Sequence, residues 1–325
     1  MKNYKWASLG CGVIANLLAQ ALEKRGTKLY SIANRTHSKA VEFAIKYGIE
    51  KVYDKIDDVF QDPEVDIIYI STPHNKHIEF IRKALKAKKH CFCEKSVTLN
   101  TAELEEAMSL AKENGVVFGE AMSLYHMPLY QELDKVIASG KLGKLQLINV
   151  SFGSYKEYDM TNRFFSRELA GGAMLDIGVY ALAFVRYFMS SAPEIFASNV
   201  VLSPTGVDER ATITLKNSQD ELASVSLSLH CKQPKRGTVC FDSGFIEIYD
   251  YNRGQRAEIT YTEDGHKEIV EAGISDDFLV YETIDMEKAV AGDSNVLHLD
   301  YSYDVMKIMT NLRKSWNVGY PEECR

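Results

Sequence analysis

The stretch that most restricts what this chain can become is Trp6-Ala7-Ser8-Leu9-Gly10-Cys11-Gly12-Val13-Ile14-Ala15. A short apolar run meets Gly-x-Gly and opens into the helical pattern Asn16-Leu17-Leu18-Ala19-Gln20-Ala21-Leu22. The spacing predicts strand, tight turn and helix. Gly10 permits the turn, and Gly12 removes the Cβ that would keep a pyrophosphate from the backbone. Ala15 supplies the small third position where helix and strand pack closely. Val13 and Ile14 begin the helix, whose unpaired N–H groups face such an anion. An ordinary βα turn without a ligand can share this pattern, so its meaning depends on the chain around it.

The rest of the first third repeats the same alternation. Lys28–Asn34 reads as a second strand and residues 38–47 as a helix stopped by Gly48, with a short helix at 56–60. Then come the strand Asp66–Ile70, the turn Ser71-Thr72-Pro73-His74-Asn75, a helix over 76–87 and the strand His90–Cys93. Asn100-Thr101-Ala102-Glu103 has the residues of a helix start; that helix ends near Gly115, ahead of the strand Val116–Glu120. Repeated βα units imply a doubly wound, mostly parallel sheet, with ligands outside the carboxyl ends of its strands. Residues 71–75, 94–96 and 120–126 all fall at such ends.

After residue 122 the pattern changes. A helix over 129–138 precedes the alternating run Leu145–Phe152. Further strands are expected at 195–202, 211–215, 223–229, 238–241, 245–249 and 258–261, separated by Asn-Ser, Asp-Ser-Gly and Asp-Gly turns of hairpin type. One helix, 173–188, interrupts them, and two, 278–291 and 301–316, close the chain. The expectation is an α/β Rossmann domain over 1–122 and an α+β domain over 123–325. The second has an open, mostly antiparallel sheet and serves substrate binding and oligomerisation; its closing helix could pack back on the first. A length of 325 residues accommodates two domains.

Composition narrows the function classes. A net charge of −7 disfavours a nucleic-acid footprint. No run is read as reaching the roughly 18 apolar residues of a membrane span, and the first residues lack a signal-peptide core. Cytoplasmic localisation is therefore expected. The six cysteines form no Cys-x-x-Cys pair, and Cys91 and Cys93 read as buried small apolar residues, so no metal site is expected.

Cofactor choice is argued from position 34. An NAD site usually offers Asp or Glu about 20 residues beyond the glycines, to hold the ribose 2′-hydroxyl. Here Asn34-Arg35-Thr36 stands instead. A carboxylate would repel a 2′-phosphate, whereas a guanidinium pairs with it. NADP is thus favoured, with NAD as the second choice. Two further groups stand out: Glu94-Lys95 at a strand end, and Asp176 and Tyr180, four apart on the 173–188 helix. A lysine near a tyrosine stabilises the phenolate and eases proton exchange.

Gly-Cys-Gly, Ser71-Thr72-Pro73-His74-Asn75-Lys76-His77, Glu94-Lys95, Glu120-Ala121-Met122, Gly-Gly-Ala-Met-Leu-Asp-Ile-Gly-Val-Tyr and the closing Gly-Tyr-Pro occur in this order. As a set they resemble the glucose-fructose oxidoreductase/inositol dehydrogenase/rhizopine catabolism (Gfo/Idh/MocA) family. Tyr180 is similar to the tyrosine branch, which contains dimeric dihydrodiol dehydrogenase and glucose-fructose oxidoreductase. The resemblance implies that Lys95 touches the nicotinamide ribose and substrate hydroxyl, that Tyr180 is the acid/base and that Asp176 lines the pocket. It further implies that Ser71, Thr72, Pro73, His74, Asn75, His77 and Glu94 line the nicotinamide half and that Arg163 reaches the cofactor. Glu120, Met122 and Tyr125 are assigned to the substrate side. Two departures stand out: Ser96 replaces the family's proline, and Ser123-Leu124-Tyr125 replaces Trp-Thr-Arg, which weighs against aromatic substrates.

The implied activity is hydride transfer between a nicotinamide and a hydroxyl or carbonyl carbon of a sugar or polyol, by a homodimer or homotetramer. Two other classes stay open: a catalytically silent cofactor-binding regulator, and an NAD-dependent glycoside hydrolase acting by transient oxidation.

Overall fold

The computed structural model describes residues 3–324. The chain divides into two compact units: residues up to Met122 together with Asp277–Leu299, and Ser123–Asp276 together with the residues from Asp300 on.

In the first unit six strands form a wholly parallel sheet: β1 (Trp6–Leu9), β2 (Ser31–Ala33), β3 (Lys51–Val52), β4 (Ile67–Ile70), β5 (His90–Glu94) and β6 (Phe118–Ala121). Their order is β3-β2-β1-β4-β5-β6, so the order reverses between β1 and β4, whose carboxyl ends flank the Gly10 turn. β1 and β4 are buried at every position, as expected of strands covered on both faces. The first helix, Val13–Lys24, buries Ala15, Leu18, Ala19, Ala21 and Leu22. Asn100 caps the helix Thr101–Asn114 by accepting from the Glu103 N–H at 3.0 Å.

The helix Phe278–Val290 belongs to this unit, whereas the order of elements in the sequence assigns it to the second domain. Glu287 explains the placement. Its carboxylate accepts from the Trp6 indole at 2.9 Å and pairs with Arg25 at 2.5 Å.

The second unit carries an eight-stranded sheet of β7 (Leu145–Gly153), β8 (Glu194–Leu202), β9 (Asp208–Lys216), β10 (Leu222–Ser228), β11 (Gln233–Phe241), β12 (Gly244–Tyr249), β13 (Arg256–Tyr261) and β14 (Lys267–Glu271). The order is β14-β13-β12-β11-β7-β10-β9-β8. Only β7 and β10 run parallel; every other neighbouring pair is antiparallel. One face is apolar core, with Ile148, Ile213, Leu215, Val225, Val239, Ile246 and Ile248 buried. The other leaves Leu147, Phe196, Phe245, Tyr249 and Ile269 exposed, Phe196 to 74%.

The helix over this core corrects one expectation. The segment Arg167–Phe188, which ends in that helix, is long and apolar enough by length and composition to cross a membrane, contrary to the reading that no run reaches that length. Its apolarity has a different cause: 78% of the most apolar window is buried inside the fold, and Ala181 through Val185 are fully enclosed.

Candidate active site

The site residues are divided between the two units, and each half is described by itself. In the first, Gly10 has φ +104°, and a Cβ there would lie 2.9 Å from the Ser71 carbonyl oxygen. The position therefore needs glycine for conformation and for space. The Ser71 N–H and hydroxyl both donate to the Leu9 carbonyl, at 2.9 and 3.0 Å, so this serine closes the ends of β1 and β4. The first helix begins at Gly12 with no side-chain cap, and Val13 is 82% exposed. Its leading N–H groups are presented to the surface, as an anion site requires. At the end of β2 the Asn34 amide donates to the Thr36 carbonyl at 3.0 Å, tightening the turn from which Arg35 projects, exposed. The Thr72 hydroxyl is buried with no hydrogen-bond partner among the described residues. An uncapped helix start, an open Gly12 and an orphaned hydroxyl at the end of β4 together fit a bound dinucleotide.

Lys95 stands just past β5, and the backbone around it is gripped by three side chains from elsewhere in the unit. The His74 Nε2 lies 3.1 Å from the Lys95 carbonyl, and the His77 Nδ1 lies 2.9 Å from the Ser96 carbonyl. The Glu120 carboxylate accepts from the Val97 N–H at 3.0 Å. The peptide bond between Lys95 and Ser96 is cis. Glu94 accepts a hydrogen bond from the buried Tyr69 phenol, and burial above all holds that phenol well above its usual pKa. His77 and Glu120 are thus committed inside the unit, at 0% and 2% exposure, and Met122 is fully buried. None of the three offers a surface to substrate or cofactor.

In the second unit the Gly171-Gly172 turn leads into a π turn, Met174–Gly178, that passes directly into the helix Val179–Phe188. The sequence pattern predicts one α-helix throughout; a π turn accommodates one extra residue and recurs at functional sites. Asp176 lies in it, with the Arg163 guanidinium 3.7 Å from its carboxylate. The structure therefore brings Arg163 to Asp176, with the guanidinium also over the Phe164 ring at 4.2 Å. The Tyr180 ring lies 6.1 Å from Phe152, which lies 6.2 Å from Tyr251. Tyr125 is buried among Tyr187 and Tyr301, with ring centroids 6.4 and 5.9 Å away. It is part of an aromatic cluster of this unit.

Two residues that hold this segment, Asp208 and Tyr320, and a third, Arg313, whose charge acts on Asp208, escape sequence reasoning. Asp208 accepts from the Met174 N–H at 2.5 Å. The Tyr320 phenol donates to the Gly171 carbonyl at 2.6 Å. The buried Arg313 forms a two-pronged pair with Glu323, both contacts 2.9 Å. Tyr320 belongs to the closing Gly-Tyr-Pro motif, the one signal that could have found it. Burial pushes the Asp208 carboxyl up to about 7, against the Met174 N–H and the nearby Arg313 charge, which lower it.

Comparison with known proteins agrees with both halves. Residues 4–122 match the model of the Gfo/Idh/MocA oxidoreductase family, NAD-binding Rossmann fold, and residues 130–262 match a C-terminal domain model of that family. The trans-1,2-dihydrobenzene-1,2-diol dehydrogenase of Xenopus tropicalis is 30% identical over 248 residues, covering 75% of this chain and 74% of the relative. The human protein of the same name is 29% identical over the same length. Among solved structures, levoglucosan dehydrogenase in complex with NADH and levoglucosan superposes with a TM-score of 0.86 at 18% identity, covering 97% of this chain and 98% of that one. KijD10, a 3-ketoreductase from Actinomadura kijaniata in complex with NADP and TDP-benzene, gives 0.84 at 19% identity, with 98% of each chain covered. With both units matched by models of one family, and with relatives of that family aligned over three quarters of its length, this chain belongs to the Gfo/Idh/MocA oxidoreductases.

Proposed function

We propose that the chain is an NADP-dependent dehydrogenase or reductase acting on a hydroxyl or carbonyl carbon of a sugar, polyol or related small molecule. The observation that carries this reading is Lys95, held by its backbone at the carboxyl edge of a parallel sheet whose uncapped first helix and exposed Arg35 suit a dinucleotide with a 2′-phosphate. The Gly12 turn and first helix would take the pyrophosphate, Arg35 the 2′-phosphate, and the Ser71–Asn75 turn the nicotinamide end. When bound, the nicotinamide supplies or accepts the hydride. The chain's own groups manage the proton. Tyr180 takes it from the substrate hydroxyl in oxidation and returns it in reduction, while the Lys95 ammonium polarises the oxygen and favours the phenolate. Asp176, steadied by Arg163, lines the sugar side.

The reading extends to assembly and location. The face of the second sheet that leaves Phe196, Tyr249 and Ile269 exposed favours a homodimer or homotetramer. A single monomeric mass by light scattering would contradict that. A cytoplasmic location accords with Cys91 and Cys93 serving as buried, unbridged side chains.

The test is a panel of D-glucose, D-xylose, myo-inositol, levoglucosan and the corresponding keto sugars, with NADP(H) and NAD(H) in parallel, followed at the reduced-nicotinamide absorbance band. Turnover with external NADP(H) on at least one member is expected. Binding of NADPH without turnover would favour the silent regulator, and release of an aglycone without net redox change would favour the glycoside hydrolase.

A further inference from the structure

His77 is fully buried at the start of the helix His77–Lys86, and both ring nitrogens face backbone carbonyls. Nδ1 lies 2.9 Å from the oxygen of Ser96 and Nε2 lies 2.8 Å from that of Thr72. The two oxygens belong to different loops, one after β5 and beside Lys95, the other after β4. A neutral imidazole carries one N–H and can donate to only one of them; the imidazolium donates to both. The two loops do not depend on His77 equally. The one after β4 is also pinned through its backbone, the Ser71 N–H donating to Leu9 at 2.9 Å and the Lys76 N–H to Pro73 at 2.8 Å. Around Lys95 three side chains reach the backbone: His74 toward residue 95, His77 toward residue 96 and Glu120 toward residue 97.

We propose that His77 is a positioning residue for Lys95, acting through an Nδ1–H donated to the Ser96 carbonyl, rather than a residue that touches the cofactor. The role rests on the proposed function, in which Lys95 acts on the substrate oxygen. A lysine ammonium sits at the end of a flexible stem, so its aim depends on the backbone from which it starts. A displacement of about 1 Å in a group that acts on the reacting oxygen can cost about 10²-fold in rate.

Two substitutions separate the two bonds. His77→Asn places an amide N–H where Nδ1 stood and keeps the bond to Ser96; His77→Gln reaches the Nε2 position and keeps the bond to Thr72. Hydrogen–deuterium exchange of the cofactor-free protein should quicken at residues 95–98 in the Gln variant and at 71–73 in the Asn variant. With the panel substrate that turns over, kcat should fall about 10²-fold in the Gln variant and far less in the Asn variant. Equal loosening of both segments in both variants, or equal losses of kcat, would overturn the proposal. If neither variant folds, nitrogen NMR of the unmodified protein decides it. A proton on Nδ1 is required, and a ring protonated at Nε2 alone contradicts the role. Lys95→Met separates this inference from the function reading. Full turnover in that variant would overturn the Lys95 assignment and with it the catalytic role of His77, yet leave the exchange pattern of the two His77 variants as it was.

Discussion

Asp208 makes the stability of this protein depend on pH, by an amount that its surroundings set. Its carboxylate is wholly enclosed, one oxygen accepting from the Met174 N–H and the other without a partner among the described residues. Arg313, a buried cation whose charge acts on Asp208, is paired with Glu323. Burial therefore dominates and lifts the folded-state pKa from 3.8 to about 7. The folded protein keeps a proton that the unfolded chain releases between those values, so this group's stabilising effect is complete below about pH 4 and is lost as the pH rises through about 7. At about 1.4 kcal/mol per pH unit, the full window is worth about 4 kcal/mol. Asp208→Asn keeps an oxygen for Met174 and cannot ionise. Urea unfolding followed by far-ultraviolet circular dichroism, on both proteins at four pH values between 5 and 8, isolates the effect as a difference. Between pH 5 and 8 the unmodified protein should lose about 3 kcal/mol relative to the variant, with the loss levelling off above about pH 7. Parallel curves across the whole range would show that burial does not hold the proton on Asp208.

Two other perturbations bear on the same geometry. Arg35→Asp should reverse the cofactor preference from NADPH to NADH, read as the ratio of dissociation constants by fluorescence titration; equal affinities in the unmodified protein would contradict the role given to Arg35. Gly172→Ala should destabilise by more than about 2 kcal/mol, because φ is +120° and the new Cβ would lie 2.3 Å from an Asp208 carboxylate oxygen. A thermal midpoint unchanged by that substitution would show that the turn is not fixed as described.

The parallel sheet is legible in the sequence because its strands are buried on both faces and read as continuous apolar runs between helical periods. Elements with weaker local signals are not. β3 has two residues, and β14, Lys-Glu-Ile-Val-Glu, is an edge strand with charged residues at both ends. The affiliation of the helix Phe278–Val290 depends on Trp6 and Arg25, more than 250 residues away in the chain, and no local pattern encodes such a partner. In the site, Lys95, Asp176 and Tyr180 stand out by residue type and motif. The groups that hold their backbones, His77, Glu120, Asp208 and Tyr320, act on carbonyl and N–H groups from remote segments. That role leaves no mark on composition or spacing, so His77 and Glu120 read as ligand contacts, Tyr320 shows only as part of the closing Gly-Tyr-Pro motif, and Asp208 does not stand out at all.

Whether Lys95 and Tyr180 serve one proton transfer is decided by a double-mutant cycle on kcat. Tyr180→Phe removes a single hydroxyl and should slow turnover about 10²–10⁴-fold while NADPH affinity stays nearly unchanged. Lys95→Met should cost at least as much, since the donor to the substrate oxygen and the charge that favours the phenolate are lost together. The double variant should be little slower than the poorer single one, because two groups acting on one step do not contribute independently. Losses that multiply, or a Tyr180→Phe enzyme that keeps full turnover per folded molecule, would contradict a shared proton transfer.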